Sequence, residues 1–275
     1  MITADLHNHT AYSHAKDSVA DMAASAFAKG LMAYGFSEHS LRPAGYAYPT
    51  DYQARLAAGF PAYVREVLAA KAAYAGRMEV LFGLEMDYMP EEESYARETV
   101  EAQPYDYVIG GLHFQGRWGF DFAASEWEGL SEATRFEHFI QYYQDLRAMA
   151  NTGLFQTVAH PDLIKLFCKN SFVAWLAKPD SLNAVREALA AIKQRGMAME
   201  VSSAGIRKGL GEPYPGPVIM ALAREMDVPI AFGSDAHAVA DVASHFGELA
   251  AYAERFGYSR SAVFRQRAMT LHPFI

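Results

Sequence analysis

Short apolar runs alternate along the chain with longer amphipathic stretches. The runs fall at residues 2–7, 33–37, 80–86, 107–112, 155–159, 198–202 and 229–234. Most are too short for helices and end in polar or glycine-rich sequence, which predicts seven β-strands. Helical periodicity fills the intervals at 18–29, 52–75, 132–151, 181–195, 217–226 and 240–256. Asp17 or Ser18 is placed to cap the first helix and Gly30 to end it, and Asp180 or Ser181 with Gly196 does the same for the fourth. Pro61, early in 52–75, predicts a kink or restart there. Alternation of this kind implies parallel strands joined by crossover helices. About seven strands predict an α/β barrel or a distorted relative, with a doubly wound open sheet as the alternative. No GxGxxG follows the first strand, so a dinucleotide-binding sheet has no support.

Three stretches carry neither period: 41–50, 115–130 and 165–177. They follow predicted strands and hold Tyr46, Tyr48, Trp118, Phe120, Trp127 and Trp175, so they are expected to build a substrate pocket. With no repeat and no low-complexity linker, one domain over 1–275 is the simplest organisation.

Composition narrows the function. A hydrophobic fraction of 51% supports a sizeable core, and a net charge of −8 disfavours nucleic acid, whose phosphates call for clustered Lys and Arg. The single cysteine, Cys168, permits no intramolecular disulfide, which fits a reducing cytoplasm. Cys168 has no base nearby in sequence and is expected to be a small, partly buried residue. No signal peptide is read at the N-terminus, and no apolar run approaches the roughly 20 residues of a membrane span. The sequence is silent on oligomeric state.

The chemistry lies at the strand ends. His7 and His9 are spaced i, i+2, so on an extended strand both face the same way, as two neutral imidazoles on a divalent metal must. Asp235 and His237 repeat the spacing after the last strand. His14, His39, His113 and His160 follow other strands, and Glu85 lies near the end of the third. Any one histidine reads best as a structural residue. Seven of ten at one end of a barrel read as a metal site, because barrel active sites form where the C-terminal strand ends converge. His138, His245 and His272 fall elsewhere and are read as structural or surface residues. Glu85 sits in an apolar run with no cation nearby in sequence, and a carboxylate between metals is stabilised where an unpaired one is costly. Ligands without cysteine suit Zn, Mn or Fe, and this number suits about three ions. A coordinated water, its pKa lowered toward about 7, would serve as nucleophile without Ser or Cys.

Asp5-Leu6-His7-Asn8-His9, Ser37-Glu38-His39-Ser40, Gly83-Leu84-Glu85, Gly111-Leu112-His113, Ala159-His160-Pro161-Asp162 and Gly233-Ser234-Asp235-Ala236-His237 occur in this order over nearly the whole chain. Together they resemble the PHP (polymerase and histidinol phosphatase) family of metal-dependent phosphoesterases. The resemblance implies a distorted (β/α)7, TIM-like barrel. It implies one metal on His7, His9, Glu85 and Asp235, a second on Glu85, His113 and His160, and a third on His14, His39 and His237. Asp106–His113 and the segment Val201-Ser202-Ser203-Ala204-Gly205-Ile206-Arg207-Lys208 resemble the monofunctional histidinol-phosphate phosphatases of that family, although Ser202-Ser203 and Pro161 depart from the usual residues. That likeness implies hydrolysis of a small phosphorylated metabolite, L-histidinol phosphate, by activated water. Arg207 and Lys165 are the candidate phosphate clamps, guanidinium in particular matching phosphate geometry, while Lys208 is expected to be solvated. A coordinated water, Asp235 and His237 are candidates for the leaving-group proton. Two other readings are a phosphoesterase acting on a nucleotide or oligonucleotide end, and a non-enzymatic metal-stabilised module.

Overall fold

A computed structural model describes residues 1–48 and 52–274. The loop expected over 41–50 therefore ends, for its last two residues, outside the described residues. Strands β1 (Ala4–Asp5), β2 (Ala33–Phe36), β3 (Glu79–Asp87) and β4 (Tyr107–Gly111) alternate with helices α1 (Val19–Ala28), α2 (Gln53–Ala73) and α3 (Glu93–Glu101). A small ribbon, β5 (Phe114–Gln115) and β6 (Trp118–Gly119), precedes α4 (Glu132–Asn151) and β7 (Thr157–Val158). Then come α5 (Lys169–Leu176), α6 (Pro179–Gln194), β8 (Ala198–Ser202), α7 (Ala204–Arg207), α8 (Pro217–Glu225), β9 (Ile230–Gly233), α9 (Phe246–Arg255) and a hairpin of β10 (Arg260–Arg265) and β11 (Ala268–Pro273).

The sheet order β1-β2-β3-β4-β7-β8-β9 is parallel at every described pairing. Hydrogen bonds from Leu6 N to Phe232 O and from His9 N to Ala236 O, both 3.0 Å, bring β9 back to β1 and all but close the barrel. The seven strands lie where the apolar runs place them, though β1 and β7 are only two residues long.

The barrel interior is narrow because small residues face it. Ala4, Ala33, Ala159, Ala198 and Ala231 surround Leu6, Leu81, Tyr107 and Ile109. Tyr107 spans the lumen, its hydroxyl donating to Leu6 O at 2.5 Å. A Cβ on Gly83 would lie 2.5 Å from the Tyr107 ring, so only glycine fits there. The C-terminal hairpin closes this end, inserting Ala262, Val263 and Phe264 into the same cluster. Arg265 pairs with Glu79 and Arg267 N donates to Asp106 O, which fixes the hairpin to the first residues of β3 and to the approach to β4. With the N-terminal end plugged by apolar side chains, the opposite end carries the polar residues.

Several local expectations change. Helix α2 runs unbroken through Pro61, whose ring lies on the exposed side. The helix expected from 240 begins only at Phe246. Ala243 and His245 adopt positive φ, and Val239 N and Ala243 N donate to the carboxylates of Asp17 and Asp5, which hold the segment as turns. Residues 165–177 supply α5 rather than a pocket loop, and Trp175 packs with Phe139, Tyr143 and Phe172 in the core. Trp118, Phe120 and Trp127 likewise form an aromatic cluster with His138 rather than a ligand wall.

Truncating the plug tests the closure. Phe264→Ala is expected to lower stability by about 3–5 kcal/mol in denaturant unfolding. A wild-type midpoint and slope would mean that the hairpin does not seal the barrel.

Candidate metal centre

Every strand of the barrel except β8 ends in a side chain that joins one polar cluster. Within His7-Asn8-His9 the alternation sends both imidazoles inward and Asn8 outward, where its side chain donates to Asp5 O and Gly35 O. The same alternation after β9 pairs Asp235 with His237. A parallel bridge between Asn8 and Ala236 ties these two strand ends together, and Ser234 donates through its N–H and hydroxyl to Asp5.

Glu85 is the hub. Its carboxylate lies 2.9 Å from His39 Nδ1, 3.2 Å from His160 Nε2, 3.4 Å from His7 Nε2, 3.5 Å from His9 Nε2 and 3.7 Å from His113 Nε2. Asp235 Oδ1 lies 3.4 Å from His9 Nε2 and 3.8 Å from His7 Nε2. Three sets of donor atoms fall within 4.8 Å of one another: His7, His9 and Glu85; Glu85, His113 and His160; and His9, His39 and His237. The second has the members of one expected grouping, and the first has three of the four expected together, without Asp235. In the third, His9 takes the place expected for His14, which stands further out, its ring 4.4 Å from His237 and 4.9 Å from His39.

The donor set fits divalent metals on a specific observation. His7 Nε2, His9 Nε2, His39 Nε2, His237 Nε2 and Glu85 Oε2 are buried without a hydrogen-bond partner. Buried polar atoms are normally satisfied, so five that converge on one cavity are what cation coordination would satisfy.

The far side of three imidazoles is held by a carboxylate that the sequence reading did not single out. His7 Nδ1 is 2.8 Å from Glu200 Oε1, His9 Nδ1 is 3.4 Å from Glu38 Oε1, and His113 Nδ1 is 2.5 Å from Asp87 Oδ1. Such partners fix ring tautomer and orientation in metal sites. Glu200 does more, because its second oxygen accepts from His160 N at 2.6 Å. It thereby braces His160, whose φ of 22° is unfavourable for a non-glycine residue. A Cβ on Gly233 would lie 2.0 Å from Glu200 Oε1, so glycine there makes room for the brace. Two signals pointed to these residues: Asp87 stands i+2 from Glu85 on the same strand face, and Glu200 interrupts an apolar strand.

Electrostatics divide the imidazoles. Burial disfavours charge on His9, but Asp235 and Glu38 outweigh it and raise its pKa to about 9. Burial is outweighed in the same way at His113, where Asp87 raises it to about 9. His39 and His237 are driven well below the usual histidine range by burial and then by the charge of His9, so both stay neutral. At Glu85 and Asp235 burial opposes ionisation. The charge of His7 and a hydrogen bond from His160 at Glu85, and the charges of Lys208 and His7 at Asp235, hold both well below the usual carboxylate range.

The cavity, of about 280 Å³, is lined by the metal-facing groups and by Arg42, Tyr48, Tyr52, Asp121, Phe122 and Lys208. Neither expected phosphate clamp lines it. Lys165 is fully buried and paired with Asp162 at 2.6 Å and Glu212 at 2.9 Å. Arg207 donates to Ser234 O at 2.5 Å and Asp235 O at 2.7 Å. It braces the turn in which Asp235 takes a φ of 51°. Lys208, expected to be solvated, reaches the cavity instead, with Nζ 3.3 Å from Asp235 Oδ2. His138, His245 and His272 lie apart, hydrogen-bonded to Gln115, Glu248 and Thr270 respectively.

Two measurements test this centre. A metal takes neutral imidazole, so below about pH 9 loading must expel the protons on His9 and His113. Apparent metal affinity is therefore expected to rise with pH up to about 9, with binding heats that depend on buffer ionisation enthalpy. Buffer-independent heats and a flat affinity would contradict the arrangement. Glu200→Gln is expected to weaken metal binding roughly 10–100-fold in chelator competition, with the circular dichroism spectrum unchanged.

The comparisons with known proteins agree with this geometry. The family profile described as PHP domain matches residues 5–204. A protein of Deinococcus radiodurans named "Probable histidinol-phosphatase" is 33% identical over 269 residues, covering 96% of this chain and 97% of its own. The histidinol-phosphatase of Bacillus subtilis is 27% identical over 255 residues, covering 86% and 94%. The solved histidinol phosphate phosphatase of Lactococcus lactis, complexed with zinc, L-histidinol and phosphate, superposes with a TM-score of 0.74 at 17% identity over 98% of each chain, a likeness of fold. With a match across most of the barrel and a relative this similar end to end, the chain belongs to the PHP-domain family.

Proposed function

We infer that this chain is a phosphoric monoester hydrolase that converts L-histidinol phosphate and water into L-histidinol and phosphate, a step of histidine biosynthesis. The observation that carries the chemistry is the convergence of partnerless buried imidazole nitrogens on Glu85. The substrate rests on the relative that is 33% identical over nearly the full length of both chains.

We assign His7, His9, Glu85 and Asp235 to one metal, Glu85, His113 and His160 to a second, and His39 and His237 with His14 to a third. The third set draws on the same His9 that faces the first. Zinc is favoured by the Lactococcus complex, while Mn and Fe suit the same donors. Divalent metals there would supply Lewis-acid stabilisation of phosphoryl oxygens and an activated water. The residues supply the rest. Lys208 and Arg42 place positive charge on the cavity wall and take over the phosphate-facing role expected of Arg207 and Lys165. Asp235, held ionised, is the acceptor for a proton from the attacking water. His237 stands on the same wall, its Nδ1 3.0 Å from Asp235 O, which fixes its ring beside that carboxylate. The small cavity and the net charge of −8 favour a small metabolite over a nucleic acid. A cytoplasmic location is proposed from the lone, buried Cys168. Among the described residues no helix is long and apolar enough to cross a membrane.

Purified, metal-loaded protein is expected to release phosphate from L-histidinol phosphate. His9→Ala and Asp235→Ala should each reduce turnover beyond the roughly 10–100-fold that loss of an outer partner costs, with thermal unfolding little changed. Unchanged activity in both variants would sink the metal-hydrolase assignment. Good turnover of other monoesters with none on histidinol phosphate would overturn the substrate.

A further inference from the structure

The cavity has a second end, lined by side chains other than the metal-facing ones. Tyr48 stacks on Phe122 with ring centroids 5.3 Å apart at 20°, and on Phe114 at 5.1 Å and 18°. Asp121 belongs to this wall, and its Oδ1 accepts a hydrogen bond from the Tyr48 hydroxyl. The two other acidic groups lining the cavity, Glu85 and Asp235, are surrounded by imidazoles and Lys208. Among the described residues Asp121 has no ion-pair partner. The cavity's non-histidine cations lie against other carboxylates, Arg42 against Asp87 and Lys208 against Asp235.

A carboxylate without an ion-pair partner beside a flat aromatic face suits one ligand chemistry. It favours positive charge, since a half-buried anion gains from a cation that enters with the ligand. The exposed face of Phe122 favours a planar group and adds cation–π attraction for a charged one. The carboxylate disfavours an anionic head group, which argues against nucleotides carrying further phosphates. Both ends line one cavity of about 280 Å³, so a ligand whose phosphate meets the metal-facing end presents its remainder to this wall.

We propose that Asp121, oriented by Tyr48, is the specificity-determining carboxylate that receives the ammonium group of the substrate, while Phe122 faces its flat ring. The proposal rests on the hydrolase reading above and adds to it a recognition site for a cationic, ring-bearing phosphate monoester. Asp121 binds rather than reacts, so its removal changes selection among esters.

The test compares wild type, Asp121→Asn and Tyr48→Phe, all metal-loaded, on L-histidinol phosphate and on phenyl phosphate, which has a ring but no positive charge. For Asp121→Asn the ratio of kcat/KM between the two esters is expected to fall roughly 10–100-fold, mostly through KM for histidinol phosphate, the loss of one charged hydrogen bond. Tyr48→Phe keeps the ring and should produce a smaller fall. L-Histidinol as a competitive inhibitor of phenyl phosphate hydrolysis should show a Ki raised by a similar factor in Asp121→Asn. Equal losses on both esters would overturn the proposal, as would an L-histidinol Ki that is the same in both proteins. Wild type that cleaves phenyl phosphate but not histidinol phosphate would overturn the substrate reading instead, and the inhibition arm still decides the role of Asp121.

Discussion

A carboxylate buried among imidazoles sets the terms for everything above it in this barrel. Glu85 is 1% exposed and has no lysine or arginine within ion-pair distance among the described residues. Burial alone would protonate it, at a cost of several kcal/mol if it stayed charged and unpaired. What keeps it ionised is the charge of His7 together with ring nitrogens from other strand ends, His160 among them. Those imidazoles reach Glu85 only if the strand ends meet, so the electrostatic requirement and barrel closure are one constraint. The parallel bridge between His39 and Glu85 and that between Asn8 and Ala236 are its backbone expression.

The layers around that point follow from it. Below, alanines and Tyr107 fill the lumen with apolar atoms, and the hairpin seals it, so water reaches the centre from one side only. Behind the imidazoles stand Glu200, Glu38 and Asp87, each on a nitrogen that faces away from the cavity. Strain at His160 and Asp235 is carried by neighbours built for it, the Glu200 carboxylate and the Arg207 guanidinium. In this structure Arg207 holds that turn through the carbonyls of Ser234 and Asp235.

This layering explains which parts of the molecule could be read from the chain. Strand positions and the nine inward side chains follow from period-two alternation and from histidines placed at the ends of apolar runs, and both survive in a one-dimensional string. The bracing role is not legible in the same way, because Glu38 beside His39 leaves no mark in sequence, and Glu200, a charge interrupting β8, gains its role only once a partner from another strand lies opposite. Direction fails similarly for cations. Lys165 and Arg207 stand near ligands in sequence, yet one turns to Asp162 and Glu212 and the other to backbone carbonyls, while Lys208, one residue on, enters the cavity. Helix periodicity over 240–245 was overridden by long-range hydrogen bonds to Asp5 and Asp17, which no local pattern reports.

The cavity is also divided by the kind of backbone that builds its two ends. Metal-facing groups sit on or directly after strands, held by ladder hydrogen bonds and bracing carboxylates. Tyr48 belongs to the segment after β2, and Asp121 and Phe122 follow the short ribbon of β5 and β6. Loop residues tolerate change far better than strand ends packed around a buried charge. Substitutions at the aromatic end would therefore alter which ester is held while leaving the Glu85 cluster intact, whereas the reverse change cannot be made without exposing or neutralising a buried carboxylate. The same fold can redirect its substrate preference through two loops, provided the strand ends continue to meet at Glu85.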